Sequence, residues 1–83
     1  MTLRPGDMFC VNPLVRRTRL MELPWDSSTD MNAKAITTVH GGEMGIVVAT
    51  CASEPHESFV MLGTRVGWLY NADLQMLAKA ADA

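Results

Sequence analysis

Apolar and polar residues alternate in short steps along this chain, and the steps predict strands rather than helices. The firmest run is Met44-Gly45-Ile46-Val47-Val48-Ala49-Thr50. Its β-branched residues are stiff at χ1 and suit a pleated surface. Apolar groups fall on both sides of this strand, so it expects cover on both faces, as a central strand in a small, tightly curved barrel has. Before it, Ile36-Thr37-Thr38-Val39-His40 predicts a strand running into the turn Gly41-Gly42, where the chain reverses. Met8-Phe9-Cys10-Val11 predicts the first strand, opened by Pro5-Gly6-Asp7 and ended by Asn12-Pro13. Residues 58–62 and 65–70 predict two more strands, joined by a tight hairpin at 63–66 after a polar loop at 52–58. Asn71-Ala72-Asp73 has the local side-chain acceptors of a one-turn 3₁₀ helix. Leu74, Met76 and Leu77 predict a closing strand, and 78–83 a flexible tail.

Residues 12–35 do not follow this pattern. The stretch 14–23 reads as an extended arm in which neither face is cleanly apolar, and Pro24-Trp25 breaks it. Asp26-Ser27-Ser28-Thr29-Asp30 signals a turn or a helix start, with at most one helical turn after it. A segment of this length without regular structure in a small domain is functional or mobile. The expectation is therefore an all-β fold: one domain over 1–77, a small closed or half-open barrel of five to six strands, with 12–35 as a long early loop.

Composition narrows the picture. The chain has 83 residues, 48% of them hydrophobic, which suits one globular domain and excludes disorder. No apolar run approaches the roughly 20 residues of a membrane helix, and the first residues lack the apolar core of a secretory signal. A cytoplasmic location without membrane partners is the expectation. Net charge is −2, whereas a chain living on phosphates is usually basic, so nucleic acid is the second choice of partner. Cys10 and Cys51 both lie in apolar contexts and are expected to be buried free thiols rather than a disulfide.

The order Gly67-Trp68-Leu69-Tyr70-Asn71-Ala72-Asp73-Leu74 resembles the end of SH3 and SH3-like domains, where a strand enters a 3₁₀ turn and a final strand. Gly6-Asp7 and the block from Gly42 to Val48 are similar to the rest of that pattern, and 12–35 falls where such domains carry their long first loop. In particular these features resemble small SH3-like barrel proteins encoded by tailed phages of marine cyanobacteria, mostly of unknown function. The resemblance implies Leu69 and Leu74 in the core, Trp68 and Tyr70 near an outer groove, and a place in the host cytoplasm or the virion. It does not extend to a PxxP-binding cluster, because the first strand lacks the aromatic residues that such recognition uses.

Candidate chemistry is sparse. Cys10, His40, Cys51 and His56 form no close ligand pairs, so no metal is expected. Cys51 and His56 lie close in sequence, but no oxyanion element accompanies them. The glycine block lacks the Lys-Ser/Thr ending of a phosphate loop, so neither a cofactor nor an enzyme is expected. What remains is a recognition surface. Arg16, Arg17 and Arg19 concentrate three of seven basic residues, and Trp25, Trp68 and Tyr70 are aromatics with polar tips. The leading function is a protein-interaction module. The alternative is a nucleic-acid-associated barrel in which the arginines meet phosphates and a ring stacks on a base. Apolar excess in Leu14, Val15, Leu20, Met21, Leu23 and Trp25 predicts a homo-oligomer, a dimer first, with 14–25 lying on a neighbouring copy.

Overall fold

In the computed structural model the described residues are 3–24 and 35–78. Seven strands run through them: β1 (Met8–Val11), β2 (Arg17–Met21), β3 (Ala35–His40), β4 (Met44–Thr50), β5 (Glu57–Leu62), β6 (Arg65–Tyr70) and β7 (Leu74–Ala78). The one helical element among them is the 3₁₀ turn Asn71–Asp73. All pairs are antiparallel, in a single sheet of order β3-β2-β6-β5-β4-β1-β7. The sheet is open, with β3 and β7 at its edges.

Two sequence expectations change here. Seven strands form instead of five or six, and the extra one, β2, lies inside the segment expected to be a loop. Its pattern hid it: Leu20 is fully buried while Arg17 and Arg19 are exposed, so β2 is a half-buried strand with a charged outer face. Strand β2 pairs along its length with β3, from Arg17 opposite His40 to Leu20 opposite Thr37. Residues 12–16 and 22–24 form no strand, while the rest of the 12–35 reading, on 25–34 and including Trp25 of the expected Pro24-Trp25 break, lies outside the described residues, as does the tail beyond Ala78.

The core sits on one side of the sheet, where Phe9, Leu20, Val39, Val60, Leu62 and Leu69 are almost fully buried. Leu69 and Leu74 point into it as the SH3 resemblance implies. Burying such side chains contributes roughly 1.5–3 kcal/mol each. Two glycines let strands and rings approach closely. A Cβ on Gly67 would lie 2.7 Å from Leu20 Cγ and 2.8 Å from the Met21 carbonyl oxygen, so β6 accepts the β2–β3 hairpin only because that atom is missing. A Cβ on Gly45 would meet the Phe9 ring at 2.8 Å. Gly42, at φ 90°, makes the turn from β3 to β4, and its amide donates to Val11 O at 2.7 Å.

Strand β4 does not receive the two-sided cover its sequence expects. Val47 is buried, but Met44 is 66% exposed and Val48 43%. The reason is topological: the core lies on one side of the sheet, and no element among the described residues crosses the other.

Candidate functional site

The β2–β3 hairpin sorts its side chains cleanly. Leu20 and Val39 turn into the core, while Arg17, Arg19, Thr38 and His40 remain exposed on the other face. Register places His40 opposite Arg17 and Thr38 opposite Arg19. Directly opposed residues stand about 4.5–5.5 Å apart at Cβ, and successive outward residues on one strand about 6.5–7 Å apart. Two guanidinium groups, an imidazole and a hydroxyl therefore form one compact block of donors. A depression of about 380 Å³ is lined by Arg17, Thr18, Arg19 and Thr38. Arg16 is exposed immediately before β2.

No carboxylate among the described residues pairs with Arg16, Arg17 or Arg19. Glu22, the nearest described acid in sequence, forms no ion pair with them, and Asp26 and Asp30 lie outside the described residues. Arg65 is the counter-example. Its Nη2 donates to Glu43 Oε1 at 2.7 Å and its Nε to Leu62 O at 3.2 Å. Glu43 Oε2 also accepts the His40 amide at 2.7 Å. The Arg65 hydrogen bond and then the His40 amide hold the Glu43 carboxyl below the usual carboxylate range. One arginine is thus committed to holding the glycine turn against β6, and three are not committed to any such contact among the described residues.

Trp68 lies next to this block. It is half-buried on β6, opposite Met21 of β2 and Phe59 of β5. Its ring centroid is 5.5 Å from that of Phe59 at an interplanar angle of 57°, a tilted arrangement favourable for aromatic pairs. Trp68 and Arg19 stand about 8 Å apart across the sheet, from the spacing of strands and residues.

Tyr70 stands on the same face of β6, two residues beyond Trp68. It lines a depression of about 600 Å³ with Pro55, His56, Asn71, Ala72 and Leu74. Asn71 ties that corner together: its amide donates to His56 O at 2.9 Å, its Nδ2 to Pro55 O at 3.2 Å, and its Oδ1 accepts Ser58 Oγ at 2.6 Å. Register therefore places Arg17, Arg19, Trp68 and Tyr70 on one face of the sheet, with Tyr70 reaching toward the corner at Asn71. Trp25 lies outside the described residues.

Sequence reasoning missed Thr38, Phe59 and His40 as members of this surface. Their signal is the hairpin register, which is unreadable until β2 is recognised as a strand. It also misplaced Cys51. Cys10 is a buried free thiol, donating to Gln75 Oε1 at 3.9 Å, but Cys51 is an exposed one. Cys51 Sγ lies 3.0 Å from Ser53 Oγ, and that hydroxyl, with the Ser53 and Glu54 amides, holds the thiol below its usual range. The apolar residues around Cys51 in sequence belong to a strand end and a turn, which point away from the core.

Compared with known proteins, the chain matches no family model, no curated protein and no solved structure. Among the described residues, no group of three or more potential ligands gathers to hold a metal ion, and no helix is long and apolar enough to cross a membrane.

Proposed function

We propose that this chain is a non-catalytic, SH3-like interaction module that takes an acidic protein segment on the outer face of its β2–β3 hairpin. One observation carries the reading: Arg17 and Arg19 share a face with His40, and among the described residues no carboxylate pairs with either arginine. Guanidinium forks suit carboxylates bidentately, and Trp68 beside them adds an amphipathic ring of the kind enriched at interface centres. The SH3-like assignment is supported by the hairpin inserted after the first strand and by the strand, 3₁₀ turn and strand that close the chain. With it goes the resemblance to the small barrel proteins of marine tailed phages.

A second reading has a specific observation behind it. The same arginines, about 6.5–7 Å apart on β2 and flanked by the Phe59–Trp68 ring pair, suit a single-stranded nucleic acid whose phosphates meet the arginines while a base stacks. Titration of the chain with a poly-glutamate peptide and with single- and double-stranded DNA and RNA, each over a range of salt, separates the two. Binding to the peptide and not to nucleic acid, lost in Arg17→Glu/Arg19→Glu, supports the first reading. Tight nucleic-acid binding that falls steeply with salt replaces it with the second. Binding to neither at low salt removes both.

A further inference from the structure

Strand β3 is one edge of the sheet, and among the described residues β2 is the only strand paired with it. Its C-terminal end shows which backbone groups are open. The His40 amide donates to Glu43 Oε2 at 2.7 Å, and the His40 carbonyl accepts the Glu43 amide at 3.2 Å, so neither turns to β2. Antiparallel strands direct alternate residues to alternate neighbours. Thr37 and Val39 therefore bond toward β2, and the N–H and C=O of Thr38 face the open side. Apart from a long 3.4 Å contact from the Thr37 hydroxyl to the Thr38 oxygen, that pair has no partner among the described residues. Glu43 closes the edge at His40, and the register shift opposite Leu20 and Met21 interrupts it at the other end. A short opening remains, centred on Thr38.

We propose that the hairpin's acidic partner binds as a short antiparallel strand added to β3, with acidic residues at alternate positions. This rests on the acidic-segment reading above and states how that segment lies. Charge selects the occupant. Arg19 stands opposite Thr38, and Arg17 one step along opposite His40, so both arginines lie one strand behind the opening. An added strand runs about 9–10 Å from β2, and Thr38 between them is small, so a guanidinium and a carboxylate meet over it. Arg17 and Arg19 are about 6.5–7 Å apart, the spacing of every second residue on a strand. Alternating acids therefore face both arginines, whereas consecutive acids send every other one to the opposite face. A second copy fits less well. The edge strands β3 and β7 contain no Asp or Glu, so either would satisfy the Thr38 backbone and leave the arginines unpaired. The β7 edge offers no such selection, because β1 beside it carries no charged residue.

The register makes a prediction about the partner's backbone. In an antiparallel pair, the residue opposite Thr38 exchanges both main-chain bonds with it and points its side chain to the same face. The amides that meet β3 are therefore those of the acidic residues, and the amides between them face solvent. Acidity that acts through side chains alone shows no such distinction.

Calorimetric titration of the chain with synthetic peptides tests this. One peptide alternates threonine and glutamate over seven residues, and a second has the same composition with its three glutamates consecutive. The alternating peptide should bind about tenfold or more tightly, and N-methylation of its glutamate amides should remove that advantage, the worth of two main-chain hydrogen bonds. N-methylation of its threonine amides should leave binding intact. On binding, amide exchange should slow at Thr38 and not at Thr37 or Val39. Thr38→Pro removes the open N–H without removing a bond to β2, and should lose the preference for alternation. If that variant does not fold, the methylated peptides decide the matter on the unaltered chain. Equal affinity for the two sequences, or full binding by the glutamate-methylated peptide, overturns the added strand. If that binding is still lost in Arg17→Glu/Arg19→Glu, the acidic-segment reading stands. Binding of neither peptide at low salt overturns both. A mass above 9.1 kDa for the chain alone, with the Thr38 amide already protected, gives the edge to a second copy and also overturns the proposal.

Discussion

On the hairpin the outward side chains are Arg17, Arg19, Thr38 and His40, whereas on the neighbouring strands they are Met8, Ile46, Met61 and Val66, although all belong to one hydrogen-bonded sheet. The inward side chains of the two regions are alike: Leu20 and Val39 beneath the hairpin, Val47, Val60 and Leu69 beneath the rest, all in a single core. The contrast shows that one hydrophobic core can carry two surfaces of opposite chemistry. The inward residues are constrained by packing with each other, and the outward ones are constrained only by what they meet. It also shows where the two regions join. Strand β2 meets β6 at one register pair, Met21 opposite Trp68, so the hairpin is attached mainly by Leu20 and by the close crossing at Gly67.

That narrow junction gives the largest expected effect. Leu20→Ala removes a fully buried side chain at the point of attachment and should cost about 2–5 kcal/mol in urea unfolding. Amide exchange should accelerate more in β2 and β3 than in β4 and β5. Equal acceleration in both would mean that the hairpin is not a separately held unit.

A smaller effect is expected where the junction is crowded rather than emptied. Gly67→Ala places a methyl group against Leu20 Cγ and the Met21 carbonyl oxygen, and should destabilise by about 1–3 kcal/mol. If the unfolding midpoint does not move, β2 does not cross β6 as closely as the structure has it.

The smallest effect concerns the pair that holds the glycine turn against β6 beside both surfaces. Glu43 and Arg65 side chains are 31% and 35% exposed, so Glu43→Gln should cost less than about 1 kcal/mol at neutral pH. The native carboxyl titrates below its unfolded value, because Arg65 and the His40 amide favour its charged form. Its stabilisation is therefore present above the unfolded pKa and is lost as pH falls through the native one. The stability difference between the native chain and the glutamine variant should fade over that acidic interval. A difference that stays constant with pH would assign the loss to packing instead of charge.

The sequence alone determined most of the strand inventory and its punctuation. Met8–Val11, Met44–Thr50, Arg65–Tyr70 and the 3₁₀ turn Asn71–Asp73 fall where glycine, proline and β-branched residues put them, because turn chemistry and χ1 stiffness act within a few residues. Leu69 and Leu74 were legible as core only through the resemblance of residues 67–74 to the end of SH3-like domains. The candidate site was half legible: Arg17, Arg19, Trp68 and Tyr70 could be named, but not the register that sets them on one face. Strand β2 was not legible, since Arg17 and Arg19 make a strand with one charged face look like an arm until β3 and β6 are beside it. Nor was the bare outer side of β4, whose Ile46 and Val48 look from sequence like core. Only the tertiary structure decides such cases, because pairing register and the side on which a core collapses are set by contacts between residues far apart in the chain.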